Sequence, residues 1–346
     1  VGWSGARAST SFLQGLAMTQ SYTVIGGGVM GLCVATELMR RGAEVCVIDH
    51  EPQPGPHACS WWAGGMLAPF CESETAEEPV VRLGQEAATW WQAQGVAVTQ
   101  HGSLVLALGR DQRDLDRFAR RTEHHRTLDR AAIDLLEPDL DGRFARGLHF
   151  DTEAHLAPRA ALGVLRERLQ AGGVDLIKSR TKRPGITFDC RGFAARDTLT
   201  DLRGVKGEMA ILQCSEINLR RPVRLLHPRI PLYIVPRGDG IYMLGATQIE
   251  VSERNRATVR SVLELLTAAY ALHPAFGEAE LVEIGVDARP AFPDNLPRIR
   301  RRGDTIYMNG LFRHGFLLAP AMARMAADLV CKGIVPEVMD EDLGER

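Results

Sequence analysis

Long apolar runs are missing from this chain. No window of about 18 residues is apolar enough to cross a bilayer, so no membrane-spanning helix is expected. An excess of either charge is missing too. Lys plus Arg number 41 against 43 Asp plus Glu, and a formal charge of -2 gives no reason to expect nucleic acid or an anionic membrane as a partner. Arginines cluster from Arg110 to Arg130, Arg220 to Arg229 and Arg298 to Arg302, but carboxylates or apolar residues interleave most of them. Solvated helix faces and loops are expected there.

Cys-x-x-Cys is absent. The seven cysteines, at 33, 46, 59, 71, 190, 214 and 331, stand singly, and an odd count argues against a disulfide framework. A reducing cytoplasm fits best. Cys33 and Cys46 fall at expected buried helix and strand positions, where free cysteine acts as a small hydrophobe. The ten histidines show no ligand spacing, and His124-His125 falls in a charged stretch expected to be helical, so no metal site is expected. Residues 1–17 lack acidic side chains but are too interrupted for a secretory apolar core. Met18 stands just before the first strand, and 1–18 is set apart as an extension or tag.

What is present is an ordinary globular composition, 45% hydrophobic and 24% charged, with 346 residues to divide between two domains. Tyr22-Thr-Val-Ile-Gly26-Gly-Gly28-Val-Met-Gly31 is a short apolar strand running into Gly-x-Gly-x-x-Gly. A helix is expected over 29–41, with Leu32, Ala35, Leu38 and Met39 on one face and Gly42 ending it. Val45-Cys-Val-Ile-Asp49 is a second buried strand, ending in a carboxylate about 20 residues after the glycines, as recognition of a ribose hydroxyl requires. In this βαβ opening Gly26 permits the tight turn, Gly28 lets the backbone approach phosphate, and Gly31 lets helix pack on strand.

Further along, helices are expected at 79–94, 110–124, 158–171 and 256–272. Strands are expected at 102–108, 175–178, 185–190, 209–212, 232–236, 241–245 and near 281–289, with Pro236, Gly238, Asp239 and Gly240 turning a hairpin. Parallel-type elements occupy both ends and antiparallel ones the middle. The expected fold is therefore α/β: a discontinuous Rossmann-type nucleotide domain with a mixed sheet, joined to an α+β substrate domain with an antiparallel sheet. The nucleotide domain is assigned 19–84, 150–206 and 288–346, and the substrate domain 85–149 and 207–287.

Two more segments suit a ring-bearing cofactor. Cys59-Ser60-Trp-Trp-Ala63-Gly64-Gly65-Met66 is small enough to pass close under a ring system, with peptide N–H groups near its polar edge. Gly310-Leu311-Phe312-Arg313-His314-Gly315-Phe316-Leu317 breaks a strand and opens a helix, whose positive N-terminus would stabilise an anionic ring. Asp189-Cys-Arg-Gly192 brings one more glycine to the end of a strand.

Taken in order with Val205-Lys-Gly-Glu208, Tyr233-Ile-Val-Pro-Arg, Gly245-Ala-Thr and Ala288-Arg289-Pro, these motifs resemble the D-amino-acid-oxidase-like flavoproteins. They are most similar to the glycine oxidase branch of thiamine biosynthesis, in its proteobacterial form, and the resemblance runs from about residue 21 to 332. It implies FAD as cofactor and a small amino acid as substrate, oxidised at the amine beside its carboxylate. Oxygen would accept the electrons, and the protein would be a homo-oligomer, a tetramer. Gly26, Gly28, Val29, Met30 and Gly31 would form the pyrophosphate turn, with Asp49 and His50 at the adenosine ribose. Cys59, Ser60, Gly64, Gly65, Met66 and Gly192 would contact the cofactor, and Leu311 to Leu317 would wrap the isoalloxazine.

Arg289 and Tyr233 would bind the substrate carboxylate, with Arg313 at the substrate edge of the flavin loop. A guanidinium suits that role because it offers two parallel donors and stays charged. No side chain is required as acid or base. Three departures stand out: Gln248 where methionine is usual, Arg191 where a small residue is usual, and a shortened 174–205 with Lys182 where an apolar residue touches adenine. Rival readings are a D-amino-acid dehydrogenase passing electrons to a quinone, and a non-catalytic flavin-binding partner protein.

Overall fold

The computed structural model describes residues 21–343 apart from 52, 180–184 and 227–231, so the N-terminal extension, Lys182 and Arg229 lie outside the described residues. Strand Ser21–Ile25 runs into helix Val29–Arg40 and then strand Glu44–Asp49. The two strands pair in parallel, with Tyr22 opposite Val45 and Val24 opposite Val47. The helix is apolar nearly all round because it is enclosed by the sheet, helix Pro158–Ala171 and the C-terminal helix Gly315–Lys332.

A seven-stranded sheet grows from this unit in the order 339–343, 298–302, 305–309, 186–189, 21–25, 44–49, 175–178. It is parallel except where 298–302 runs against 305–309. An eight-stranded sheet, mostly antiparallel, has the order 280–291, 203–213, 241–245, 232–236, 223–226, 103–107, 146–150, 126–129. Its one parallel pair is 223–226 with 103–107. The hairpin at 236–241 turns through Gly238, Asp239 and Gly240, all with positive φ.

Four local expectations are corrected. The stretch 79–94 is two helices, Glu78–Gly84 and Ala87–Ala93. The chain breaks where the C-terminal helix presses on it: a Cβ on Gly84 would lie 2.8 Å from the Leu317 side chain. The charged helix spans Gln112–Arg121 only; Thr122 turns its hydroxyl back to the Phe118 carbonyl, and His124 has φ 60. His124 and His125 therefore lie outside it. Helix Val259–Leu272 begins later than expected because Thr258 caps it through the Ser261 N–H.

The arginine clusters are not all solvated. Arg298–Arg302 is a strand, and Arg300 is buried between Asp201 and Asp340, with contacts of 2.7 to 2.8 Å. Arg221 and Arg224 are buried too. Strands at 126–129, 146–150 and 223–226 went unread because their apolar residues are few or sit beside charged ones.

Candidate active site

A cavity of about 1230 Å³ runs between the two sheets. It exceeds what a small substrate alone needs and leaves room for a dinucleotide as well. Every site residue named from the sequence lines it except Gly31. Gly31 acts through the backbone: a Cβ there would fall 1.8 Å from the Gly26 carbonyl oxygen, so only glycine lets the first helix start so close to its strand.

At one end, the helix N-terminus opens on the cavity at Gly28, Val29 and Met30, with no acidic side chain in the first turn. Gly28 brings no cap of its own; the Ser60 hydroxyl accepts the Val29 N–H at 3.0 Å, from 31 residues away. Ser60 thus stands at the phosphate turn. Asp49 accepts from the Gly27 N–H at 2.5 Å on one oxygen and from the Glu51 N–H at 3.1 Å on the other, and His50 Nδ1 lies 2.7 Å from that second oxygen. His57 brings a further nitrogen within 4.8 Å of this pair, a grouping the histidine spacing did not show. The hydrogen bonds of Asp49 account for its place in that group.

The C-terminal helix aims a second N-terminus at the same cavity. Gly315, Phe316 and Leu317 line the wall, and its first turn also lacks acidic residues. Pro320 lies inside this helix and offers no N–H to the Phe316 carbonyl four residues back. The Trp91 indole takes over and donates to that oxygen at 2.8 Å. Before the helix, Phe312 adopts φ 49 and donates its N–H to the Pro290 carbonyl at 3.0 Å, which ties the loop to the Arg289 strand.

Two helix N-termini without acidic residues in their first turns, a glycine turn without room for side chains and a carboxylate at the end of the second strand fit a dinucleotide phosphate and ribose.

The opposite wall carries Tyr233, Gln248 and Arg289. The Tyr233 ring fits between two glycines: a Cβ on Gly64 or on Gly245 would meet it at 2.9 or 2.7 Å. Arg289 donates from Nη1 to the Thr247 carbonyl at 3.1 Å. Thr247 is held in turn by buried Glu208, with hydroxyl to carboxylate at 3.0 Å, and Glu208 pairs with Lys206 at 3.3 Å. No carboxylate lies within 4.0 Å of Arg289 among the described residues, although burial pushes its pKa down.

Arg313 differs. It donates to Glu72 at 2.9 Å, and Arg224 lies 3.8 Å from the same carboxylate. Burial would raise the Glu72 pKa, but the guanidiniums of Arg313 and Arg224 outweigh it and hold the group at about 2. Burial also keeps His314 neutral, with its pKa down at about 4, and the Cys59 thiol protonated, up at about 12. Arg191 is tied to Asp189 at 2.9 Å and to Asp197 at 2.8 Å.

Sequence reasoning missed Glu72, Arg224 and the part played by Arg237. Arg237 reaches the Leu156 carbonyl at 2.8 Å and the Gly64 carbonyl at 2.6 Å. Its position in Tyr233-Ile-Val-Pro-Arg was the one signal available.

The sequence model of a family described as FAD dependent oxidoreductase matches residues 21–329. A Rhizobium etli protein named as a thiamine biosynthesis oxidoreductase is 52% identical over 305 residues, covering 87% of this chain and 93% of its own. A glycine oxidase of Pseudomonas aeruginosa is 26% identical, covering 90% of this chain and 95% of its own. Among solved structures, an iminodiacetate oxidase from a Chelativorans species superposes with a TM-score of 0.78 at 22% identity, covering 94% of this chain and 100% of its own.

Proposed function

The chain belongs to the FAD dependent oxidoreductase family, and from that premise we propose that it is a glycine oxidase. On this reading it oxidises glycine, with sarcosine or small D-amino acids as further substrates, and supplies the imine for thiamine thiazole synthesis. The names of its relatives support the substrate and the pathway. The observation that carries the reading is Arg289, a cavity-facing guanidinium without a carboxylate partner among the described residues, beside Tyr233.

FAD, when bound, supplies a two-electron acceptor for the substrate's Cα–H bond and a route for those electrons to oxygen. Gly26 and Gly28 to Met30 would hold its pyrophosphate, Asp49 and His50 its ribose, and Gly64 to Met66, Gly192 and Leu311 to Leu317 its ring. Arg289 and Tyr233 bind the substrate carboxylate and fix which Cα hydrogen faces the ring, so positioning replaces a strong base. Gln248 borders the amine or side-chain region. Arg313, already matched to Glu72, contributes shape and a hydrogen-bonding edge more than a free charge. Water then hydrolyses the imine. Glycine, oxygen and water give glyoxylate, ammonia and hydrogen peroxide.

The same reading takes the protein as a cytoplasmic homo-oligomer. Among the described residues, no helix is long and apolar enough to cross a membrane.

The test is anaerobic reduction of the FAD-loaded protein by glycine, sarcosine and D-alanine, followed by air. Bleaching by glycine, reversed with release of peroxide, supports the reading. Bleaching only by bulkier amino acids moves the substrate. Reoxidation by a quinone but not by air moves the acceptor, and a yellow protein that no amine bleaches sinks the mechanism.

A further inference from the structure

Arg237 carries a charge that no carboxylate answers. Among the described residues none lies within 4.0 Å of it, and its hydrogen bonds run to main-chain carbonyls: Leu156 at 2.8 Å, Gly64 at 2.6 Å and Ala63 at 3.4 Å. Burial pushes its pKa down to about 10, which still leaves it protonated near neutrality. A half-buried guanidinium without a counter-ion is costly. A neutral amide could tie the same loop at less cost, so the charge itself calls for a use.

The loop it grips forms the cavity wall at Gly64, Gly65 and Met66. Two successive carbonyls of that loop are turned into the protein. Gly64 O accepts from Arg237, and Gly65 O accepts the Leu156 N–H at 2.9 Å. A trans peptide is planar, with its N–H opposed to its C=O. The N–H groups of Gly65 and Met66 therefore project away from Arg237 and Leu156. Gly65 itself has φ +70, and a Cβ there would meet Leu156 O at 2.3 Å, so the loop can hold this path only as glycine. Arg237 also stands four residues beyond Tyr233, one residue past the end of strand Leu232–Pro236. The strand thus presents the tyrosine to the cavity, and the residue that follows it reaches the loop behind.

A cation on a peptide oxygen polarises that peptide and strengthens its N–H as a donor. We propose that Arg237 is a positioning residue, which locks the Gly64–Gly65–Met66 peptides with donors toward the flavin ring and so raises the electron affinity of bound FAD. The proposal rests on the reading that FAD occupies this cavity. It makes Arg237 part of the redox machinery without contact with substrate.

The test compares the wild-type holoenzyme with Arg237→Met and Arg237→Lys by titration with sulfite, which adds to flavin N5 more tightly as the ring becomes more electron-poor. The expected result for Arg237→Met is a sulfite Kd raised about tenfold, the worth of one charge-assisted hydrogen bond. The visible spectrum should shift with it, and kcat for glycine should fall while KM stays within about twofold. Arg237→Lys keeps the charge but offers one nitrogen in place of the two that reach Leu156 O and Gly64 O, so it should recover only part of the affinity. An unchanged sulfite Kd and spectrum in Arg237→Met overturns the proposal, whatever happens to thermal stability. If that variant does not fold, Arg237→Gln, which keeps a donor without the charge, decides, and wild-type sulfite affinity there overturns it. A wild-type protein that takes up no FAD, or is not reduced by any amino acid, breaks the functional reading instead.

Discussion

Gly207 lies directly beneath the guanidinium of Arg289: a Cβ on Gly207 would fall 2.2 Å from Nη2 and 2.3 Å from Cζ. The two come from paired antiparallel strands, with Val205 opposite Arg289 and Gly207 opposite Asp287, so they are diagonal neighbours on one face. The missing side chain gives the guanidinium room to lie flat and reach the cavity. Gly207→Ala should push a flexible side chain aside without breaking the sheet. The expected outcome is a KM for glycine raised about tenfold, the loss of one good charge-assisted contact, with FAD affinity unchanged. Steady-state oxygen uptake and flavin titration check it. A wild-type KM would mean that Arg289 does not hold the carboxylate in this pose.

Glu153 predicts a pH dependence of stability. It is buried, accepts the Cys71 N–H at 2.7 Å and shares a short contact with Ser103. Burial pushes its pKa up to about 8, and these contacts offset the shift only in part. An unfolded glutamate titrates near about 4.3. Between those values the folded protein keeps a proton that the unfolded chain releases, so this group's contribution is full below the unfolded pKa and is lost as pH rises through about 8. Glu153→Gln keeps the shape and neutrality without titrating. Relative to it, wild-type unfolding free energy should fall from about pH 5 to pH 8, by at most about 1.4 kcal/mol per unit. Urea unfolding at several pH values is the check, and parallel profiles for the two proteins would refute the assignment.

Much of the nucleotide-binding half was legible because its constraints are local. Gly26, Gly28 and Gly31 are demanded by a turn and a close approach within six residues of chain, and Asp49 ends the very next strand. The loop from Leu311 to Leu317 was legible for the same reason, as a strand broken by glycine before a helix. The rest depends on partners far away in sequence. Glu72 has meaning only once Arg313, 241 residues on, meets it. Arg298–Arg302 reads as a solvated run until Asp201 and Asp340 neutralise Arg300 on a sheet. Arg237 looks like the charged end of a hairpin strand until the carbonyl of Gly64, 173 residues earlier, arrives under it.

Gln248 should govern discrimination among small amines. It lines the cavity with Thr247, whose carbonyl holds Arg289, so it stands next to the proposed carboxylate site. Gln248→Met replaces a polar amide with an apolar wall of similar length. An added methyl group buried there is worth about 0.8 kcal/mol, so the kcat/KM ratio of sarcosine or D-alanine over glycine should rise about fourfold. Parallel assays on the three substrates measure it. An unchanged ratio would place the variable part of the substrate elsewhere on the wall.

Pro320 and Trp91 form a compensating pair that a mutant cycle can expose. The proline leaves the Phe316 carbonyl without a donor inside its own helix, and the indole of Trp91 supplies one from a different helix at 2.8 Å. The Trp91 ring also stacks on Phe316, with centroids 5.5 Å apart. Trp91→Phe keeps an aromatic ring but leaves a buried carbonyl unsatisfied, and should cost about 1 to 3 kcal/mol. Phe316 lines the cavity, so FAD affinity should fall with stability. Pro320→Ala provides a helical N–H for the same oxygen and should change little alone, because the carbonyl is already satisfied. In the double variant that N–H should recover much of what Trp91→Phe lost, and the two changes should therefore be non-additive. Denaturant unfolding of the four proteins gives the coupling directly. Strict additivity would show that the indole packs against the helix without standing in for the hydrogen bond that proline removed.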